Sequence, residues 1–180
     1  MNIRDISAAA LKEAMDGARR GGGFKLNVPE NARVNKRNPR QRFWTEYGSI
    51  ASLKRYEKPG KSGLTHTVYE IKLQITAEGS GENIGTTFTV FPRVAYDALP
   101  LDPSHGDRIM SIRSIGLLTQ FFEATGIENG MAAETIQQVF TEMGSDSPLV
   151  GQMVSFEVKQ EEPETKGDRT NVDVVTFMEA

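Results

Sequence analysis

Between Arg33 and Lys61 the chain carries Arg33, Lys36, Arg37, Arg40, Arg42, Lys54, Arg55, Lys58 and Lys61 against only Glu46 and Glu57, with Phe43, Trp44, Tyr47 and Tyr56 set among them. Cations attract phosphates, and the π-faces of unpaired bases stack on aromatic rings for about 1–3 kcal/mol each. A duplex offers no such free faces. The mixture therefore suits a single nucleic-acid strand, with Lys36, Arg37, Arg40, Arg42, Lys54, Arg55, Lys58 and Lys61 against phosphates and Trp44, Tyr47 and Tyr56 against bases. Trp44, the only tryptophan, has two readings: it stacks a base, or it plugs the end of a barrel, since a large aromatic in a strand is usually core. The plain alternative for the whole stretch is a solvated basic tail with no partner.

The chain has little with which to do covalent chemistry. It has no cysteine, so thiolate metal sites, thiol nucleophiles and disulfides are excluded, which fits a reducing compartment. His66 and His105 are separated by a predicted strand pair, lack neighbouring ligands, and are expected in surface loops. Gly21-Gly22-Gly23 has no following Lys-Ser/Thr and no preceding apolar strand, so it reads as a hinge rather than a phosphate cradle. Glu161, Glu162 and Glu164 sit beside Pro163, Lys166 and Gly167 in what reads as a solvated turn, and Asp173 stands alone. No enzyme, metal or cofactor is expected.

Charge is sorted along the chain. Residues 1–61 hold 14 Lys and Arg against 6 Asp and Glu, whereas residues 62–180 hold 7 against 18, and the net charge is −3. Such asymmetry points to a basic arm or face that meets a polyanion. No stretch approaches the roughly 18 apolar residues of a membrane span, and Met1 to Arg20 has no apolar run after its first charges. A cytoplasmic protein without membrane contact is the expectation.

Several elements must position these groups. Ile3 to Arg19 has helical spacing with a thin apolar stripe, loosely attached, and Lys25 to Gln41 is polar, carries Pro29 and Pro39, and reads as an extended arm. From Phe43 the period becomes two: Tyr47, Ser49, Ala51 and Leu53 alternate with Gly48, Ile50, Ser52 and Lys54 up to the turn at residues 58–63. Tyr69, Ile71, Leu73, Ile75 and Ala77 face one way and Glu70, Lys72, Gln74 and Thr76 the other. Thr86 to Phe91 makes a third strand, stopped by Pro92. Ile112, Ile115, Leu118, Phe121 and Phe122 mark a helix ended by Gly126, and a second helix runs from Met131 to Met143 with Ile136, Val139, Phe140 and Met143 on one stripe. Val154 to Val158 and Asn171 to Phe177 complete five strands.

The fold class is thus mainly β with a helical insertion at about residues 110–144. The order β-β-β, helices, β-β is that of an OB-fold, a five-stranded, partly open Greek-key barrel whose strand 2–3 face and L12 and L45 loops bind oligonucleotides or oligosaccharides. Residues 1–42 form the helix, hinge and basic arm, and residues 43–180 the barrel.

The run KPGKSGLTHTVYEIKLQI (residues 58–75), the helix ending LLTQFFEATG and the closing LVGQMVSFEVKQEEPETKGDRTNVDVV resemble phage-encoded OB-fold single-stranded-DNA-binding proteins over about residues 47–177. That resemblance implies support of DNA replication or recombination, with DNA crossing the barrel near its first strands and the closing hairpin loop. The expected ligand is single-stranded DNA, with RNA as an alternative, the partners are replication or recombination proteins, and self-association would use the N-terminal helix or arm. The competing reading is a virion or tail component whose arm grips neighbouring subunits.

Overall fold

The long hairpin predicted by the alternation forms the spine of the protein. The computed structural model describes residues 8–20, 24–29, 43–78, 84–161 and 170–178. In chain order these form α1 (Ala8–Arg20), β1 (Phe24–Pro29), β2 (Phe43–Pro59), β3 (Thr65–Glu78), β4 (Thr87–Val90), β5 (Arg93–Val94), a 3₁₀ turn at Tyr96–Ala98, α2 (Gly106–Ala124), α3 (Ala133–Val139), β6 (Met153–Glu161) and β7 (Thr170–Met178). The strands pair antiparallel in the order β1-β7-β6-β2-β3-β4, with β5 also against β3. Among the described residues this path is open, with no pairing between its two ends. A mainly β, antiparallel architecture with helices between β5 and β6 is therefore present.

Two strands were not expected. Phe24–Pro29, read as the start of an extended arm, pairs along its length with β7, from Phe24 opposite Val175 to Pro29 opposite Thr170. Pro29 is tolerated because it ends an edge strand, where its missing N–H breaks no interior ladder. The two-residue β5 lies beyond Pro92, which interrupts the ladder as predicted. The hinge at Gly21-Gly22-Gly23 and arm residues 30–42 lie outside the described residues.

β3 follows the predicted alternation over most of its length. Tyr69, Ile71, Leu73 and Ile75 are buried, while Glu70, Lys72 and Gln74 lie on the other face. The pattern breaks at one end of the predicted set, at Ala77, and the β2–β3 ladder contains two irregularities. Tyr47 pairs with Ala77 but Gly48 with Ile75, so Thr76 is extra on β3 and Ala77 turns outward with Tyr47. Ile50 pairs with Leu73 but Ser52 with Lys72, so Ala51 is extra on β2. A bulge residue reverses the side-chain parity of all that follows. Leu53, expected on the face of Tyr47, is fully buried beside Ile71, whereas Tyr47 is exposed.

The core lies on the inner face of the sheet under α2 and α3. Phe121 meets Phe122, Phe140 and Phe177 at centroid distances of 5.8, 6.1 and 5.3 Å, and Phe88 stacks on Phe156 at 5.1 Å. Each fully buried ring contributes about 1.5–3 kcal/mol of apolar transfer. α2 starts earlier than its apolar stripe, at Gly106, where Asp107 places a negative charge in the first turn. It is covered on a second side by α1, whose Leu11, Ala14 and Met15 join the core and whose Glu13 lies 3.7 Å from Arg108. The N-terminal helix is thus docked rather than loosely attached.

The second predicted helix ends early. α3 stops at Val139, Phe140 is extended (φ −99°, ψ 108°), and Met143 is 72% exposed instead of lying on the buried stripe. The chain is drawn off to β2, where Thr141 N–H donates to the Leu53 carbonyl at 3.1 Å, Arg55 N–H to the Thr141 carbonyl at 2.9 Å and Leu53 N–H to the Gly144 carbonyl at 3.0 Å. Gly144 has φ +74°, and a Cβ there would collide with Ser52 Oγ. No helix of the described residues is long and apolar enough to cross a membrane.

Candidate nucleic-acid interface

The Ala51 bulge decides which side chains of β2 share the outer face. Before it Tyr47 and Ser49 point away from the buried Gly48 and Ile50; after it Ser52, Lys54, Tyr56 and Lys58 do so. Tyr47 is 44% and Tyr56 37% exposed. Lys54 Nζ sits over the Tyr56 ring, 5.9 Å from its centroid, an exposed cation–π contact worth about 0.5–1 kcal/mol. Lys58 is exposed two residues further on.

Directly opposed residues of an antiparallel pair lie on one face, so β3 extends this surface. Lys72 is opposite Ser52 on one side and Thr89 of β4 on the other, and Glu70 is opposite Lys54. On the other flank Met153 of β6 is opposite Ser49 and is 42% exposed. Thr76 Oγ1 donates to the Tyr47 carbonyl at 2.9 Å and lies 4.0 Å from Met153 Sδ, gathering these groups around Tyr47. Phe91, one residue past β4, is 39% exposed. Among the described residues Lys54, Lys58, Lys61 and Lys72 form no ion pair, which leaves their charge available to an anion.

Lys61 is exposed in the turn between β2 and β3. That turn is closed by Gly60 N–H donating to the Leu64 carbonyl at 2.8 Å. Gly60 is required there, since a Cβ would lie 2.7 Å from His66 Nε2. His66, expected in a surface loop, is instead in β3 and buried, donating from Nε2 to Asp107 Oδ1 at 3.1 Å. His105, before α2, reaches the other carboxylate oxygen at 4.0 Å. The two histidines, far apart in sequence, thus converge on one carboxylate. The Ser62 hydroxyl and the two imidazoles hold the Asp107 carboxyl below its ordinary range against the opposing effect of burial. The result is a clasp between the turn and the first turn of α2. No group of three or more metal-ligating side chains occurs among the described residues.

Arg55 has a different place from its sequence neighbours. It is opposite Tyr69 on the core face, away from Lys54 and Tyr56. The Tyr69 and Tyr96 hydroxyls bond to each other at 2.5 Å in the interior. Burial pushes Tyr69 up to about 12, against the lowering effects of the Tyr96 bond and the Arg55 charge. Burial also raises Tyr96, and Tyr69 beside it adds to that rise. Arg55 thus sits where its charge acts on a buried hydroxyl pair.

Of the predicted set, then, Tyr47, Lys54, Tyr56 and Lys58 share the outer face of β2, Lys61 is in the adjoining turn, and Arg55 is on the inner face. Trp44 is in β2 opposite Val158, and its side chain lies outside the described residues, as do Lys36, Arg37, Arg40 and Arg42. Lys72 and Met153, on the same outer face, and the exposed Phe91 are not in the predicted set. For Lys72 the sequence carries a signal, the alternating polar row Glu70, Lys72 and Gln74, which lies on a different strand from the basic stretch. No protein-family model matches the chain, and no curated protein matches its sequence.

Proposed function

We propose that this protein binds single-stranded DNA with little sequence preference, in support of replication or recombination, on the outer face of β2, β3 and β4. The observation that carries the reading is the pair Lys54 and Tyr56, an ammonium over an accessible ring with Lys58 beside them and Lys72 on the neighbouring strand. A base stacks on the ring and the lysines meet the flanking phosphates, a combination that needs no specific base edge and no catalysis.

The strand order supports the same reading. The path β4-β3-β2-β6-β7, with helices between the third and fourth strands of the set, is compatible with the Greek-key order of an OB-fold whose first strand would be β2, and β4 and β7 do not pair among the described residues. In that arrangement β3 and β4 form the strand 2–3 face and the Gly60–Leu64 turn, with Lys61, is the L12 loop. The test is fluorescence anisotropy of a labelled dT oligonucleotide at low salt, with a duplex of equal length as control. Binding of the single strand in preference to the duplex, weakened by about 1–3 kcal/mol in Tyr56→Ala, is the expected result. Absence of single-strand binding overturns the proposal.

A further inference from the structure

Tyr47 and Tyr56 are exposed at opposite ends of one strand, and the chain between them contains the bulge that brings both to the same side. Their environments differ. Tyr56 has Lys54 over its ring, with Lys58 next along the strand. Around Tyr47 are Met153, Thr76, Ala77 and, directly opposite on β6, the buried Ser155, with no lysine opposed to it on either neighbouring strand. One end of the face is a ring among cations and the other a ring beside a thioether.

We infer that these are two separate base-stacking subsites, and that a single strand of DNA must bridge them to bind tightly. The inference rests on the single-strand-binding reading and adds to it a ligand length and a second contact point. At about 3.3 Å per residue, with one residue taken up by the bulge, the strand places the rings about 25 Å apart. Nucleotides stacked at about 3.4 Å each would need about seven to cover that distance, and unstacked nucleotides at roughly twice that rise about four. A shorter oligonucleotide reaches one ring or the other, never both. Between the rings Ser52, Lys54 and Lys72 face outward, with Glu70 opposite Lys54 as the one carboxylate in that row. Two cations there outnumber the carboxylate, so a phosphate backbone can pass. Met153 gives the Tyr47 end a polarizable, apolar wall, which suits the edge of a base better than a phosphate.

The experiment compares the protein with its Tyr47→Ala and Tyr56→Ala variants on dT oligonucleotides of about three and about twelve nucleotides. Both rings are more than half covered, so the alanine variants are compared at a temperature where circular dichroism shows them folded, and Tyr47→Phe and Tyr56→Phe, which keep the π-face and its packing, retain affinity. With the longer oligonucleotide each alanine variant weakens binding by about 5- to 150-fold. With the shorter one, loss of the weaker ring costs no more than about twofold and loss of the stronger ring leaves the binding of the other, so neither variant shows the loss seen with the longer oligonucleotide. If Tyr47→Ala leaves the longer oligonucleotide unaffected while Tyr56→Ala weakens it, the two-subsite inference falls and single-strand binding stands. If the unmodified protein binds neither oligonucleotide, both fall.

Discussion

Tyr47 and Tyr56 lie nine residues apart on one strand, an odd number that in regular β-structure would put them on opposite faces, yet both occupy the outer face of β2. Ala51, the extra residue between Ile50 and Ser52, reverses the parity and makes the surface continuous. The same residue lets Leu53 enter the core while Tyr47 stays out.

Deleting Ala51 should therefore harm folding and binding together. With regular pairing either Leu53 or the pair Gly48 and Ile50 is forced to the wrong face. The expected loss is about 3 kcal/mol or more in urea unfolding, the equivalent of expelling one or two buried aliphatic side chains. An unchanged urea midpoint would show that the bulge does not set the register.

Phe121 is fully buried and touches rings from α2, from the segment after α3 and from β7. Phe121→Ala should cost about 3–5 kcal/mol, because one cavity opens where three elements meet. A loss below about 1.5 kcal/mol in chemical denaturation would mean that the helices are not seated on the sheet as described.

Asp107 makes stability depend on acid pH. Its folded carboxyl is held below the ordinary value, chiefly by the Ser62 hydroxyl and then by His66 and His105. A lowered carboxyl contributes stability that is present above its unfolded value and is lost as pH falls through the folded one. Asp107→Asn should therefore melt below the unmodified protein at neutral pH, with the gap closing on acidification. A gap that stays constant or widens in acid would contradict the clasp between the turn and α2.

At the alkaline end Tyr69 and Tyr96 act in the opposite sense. Their hydroxyls are raised by burial, Tyr69 from 10.0 to about 12, so the folded state resists their ionisation. Stability from this source is fully present below pH 10 and is lost as pH rises toward 12. Tyr96→Phe leaves one buried hydroxyl without its partner and should cost about 1–3 kcal/mol at neutral pH. Ultraviolet titration checks the first point: Tyr69 and Tyr96 should resist ionisation in the folded protein, whereas their ionisation at the ordinary tyrosine value without unfolding would refute their burial.

The parts of the fold legible in the sequence are those governed by one uninterrupted period. β3 reads directly from Tyr69 to Ile75 because each second residue is apolar, and α2 reads from Ile112, Ile115, Leu118 and Phe121 because their spacing repeats. What escaped depends on long-range partners. Nothing near Ala51 marks it as the extra residue, since its role exists only in the ladder with Leu73 and Lys72. His66 looks like a polar loop residue until Asp107 comes 3.1 Å from its ring. Phe24, Leu26 and Val28 alternate with Lys25 and Asn27, so a period-two signal is present, but it is short and runs into the polar, proline-bearing stretch that follows, and only the edge of β7 makes a strand of it. Phe140 fits a helical stripe, but the backbone groups of β2 capture the residues that follow it.

The basic stretch is contiguous in sequence, whereas alternation divides it: Lys54 and Lys58 go outward with Tyr56, Arg55 goes inward to Tyr69, and Lys72 joins from the neighbouring strand. Composition located the charge, but only the register of β2 against β3 says which charges can meet the same ligand.

The most direct test is the salt dependence of single-strand binding in Lys54→Ala, Lys72→Ala and, as a control, Lys12→Ala on the distant face of α1. Each phosphate contact removed should reduce the slope of log affinity against log salt by about 0.7, so the two sheet variants flatten it and Lys12→Ala leaves it unchanged. Equal slopes for all four proteins would contradict a nucleic-acid site on the outer face of β2 and β3.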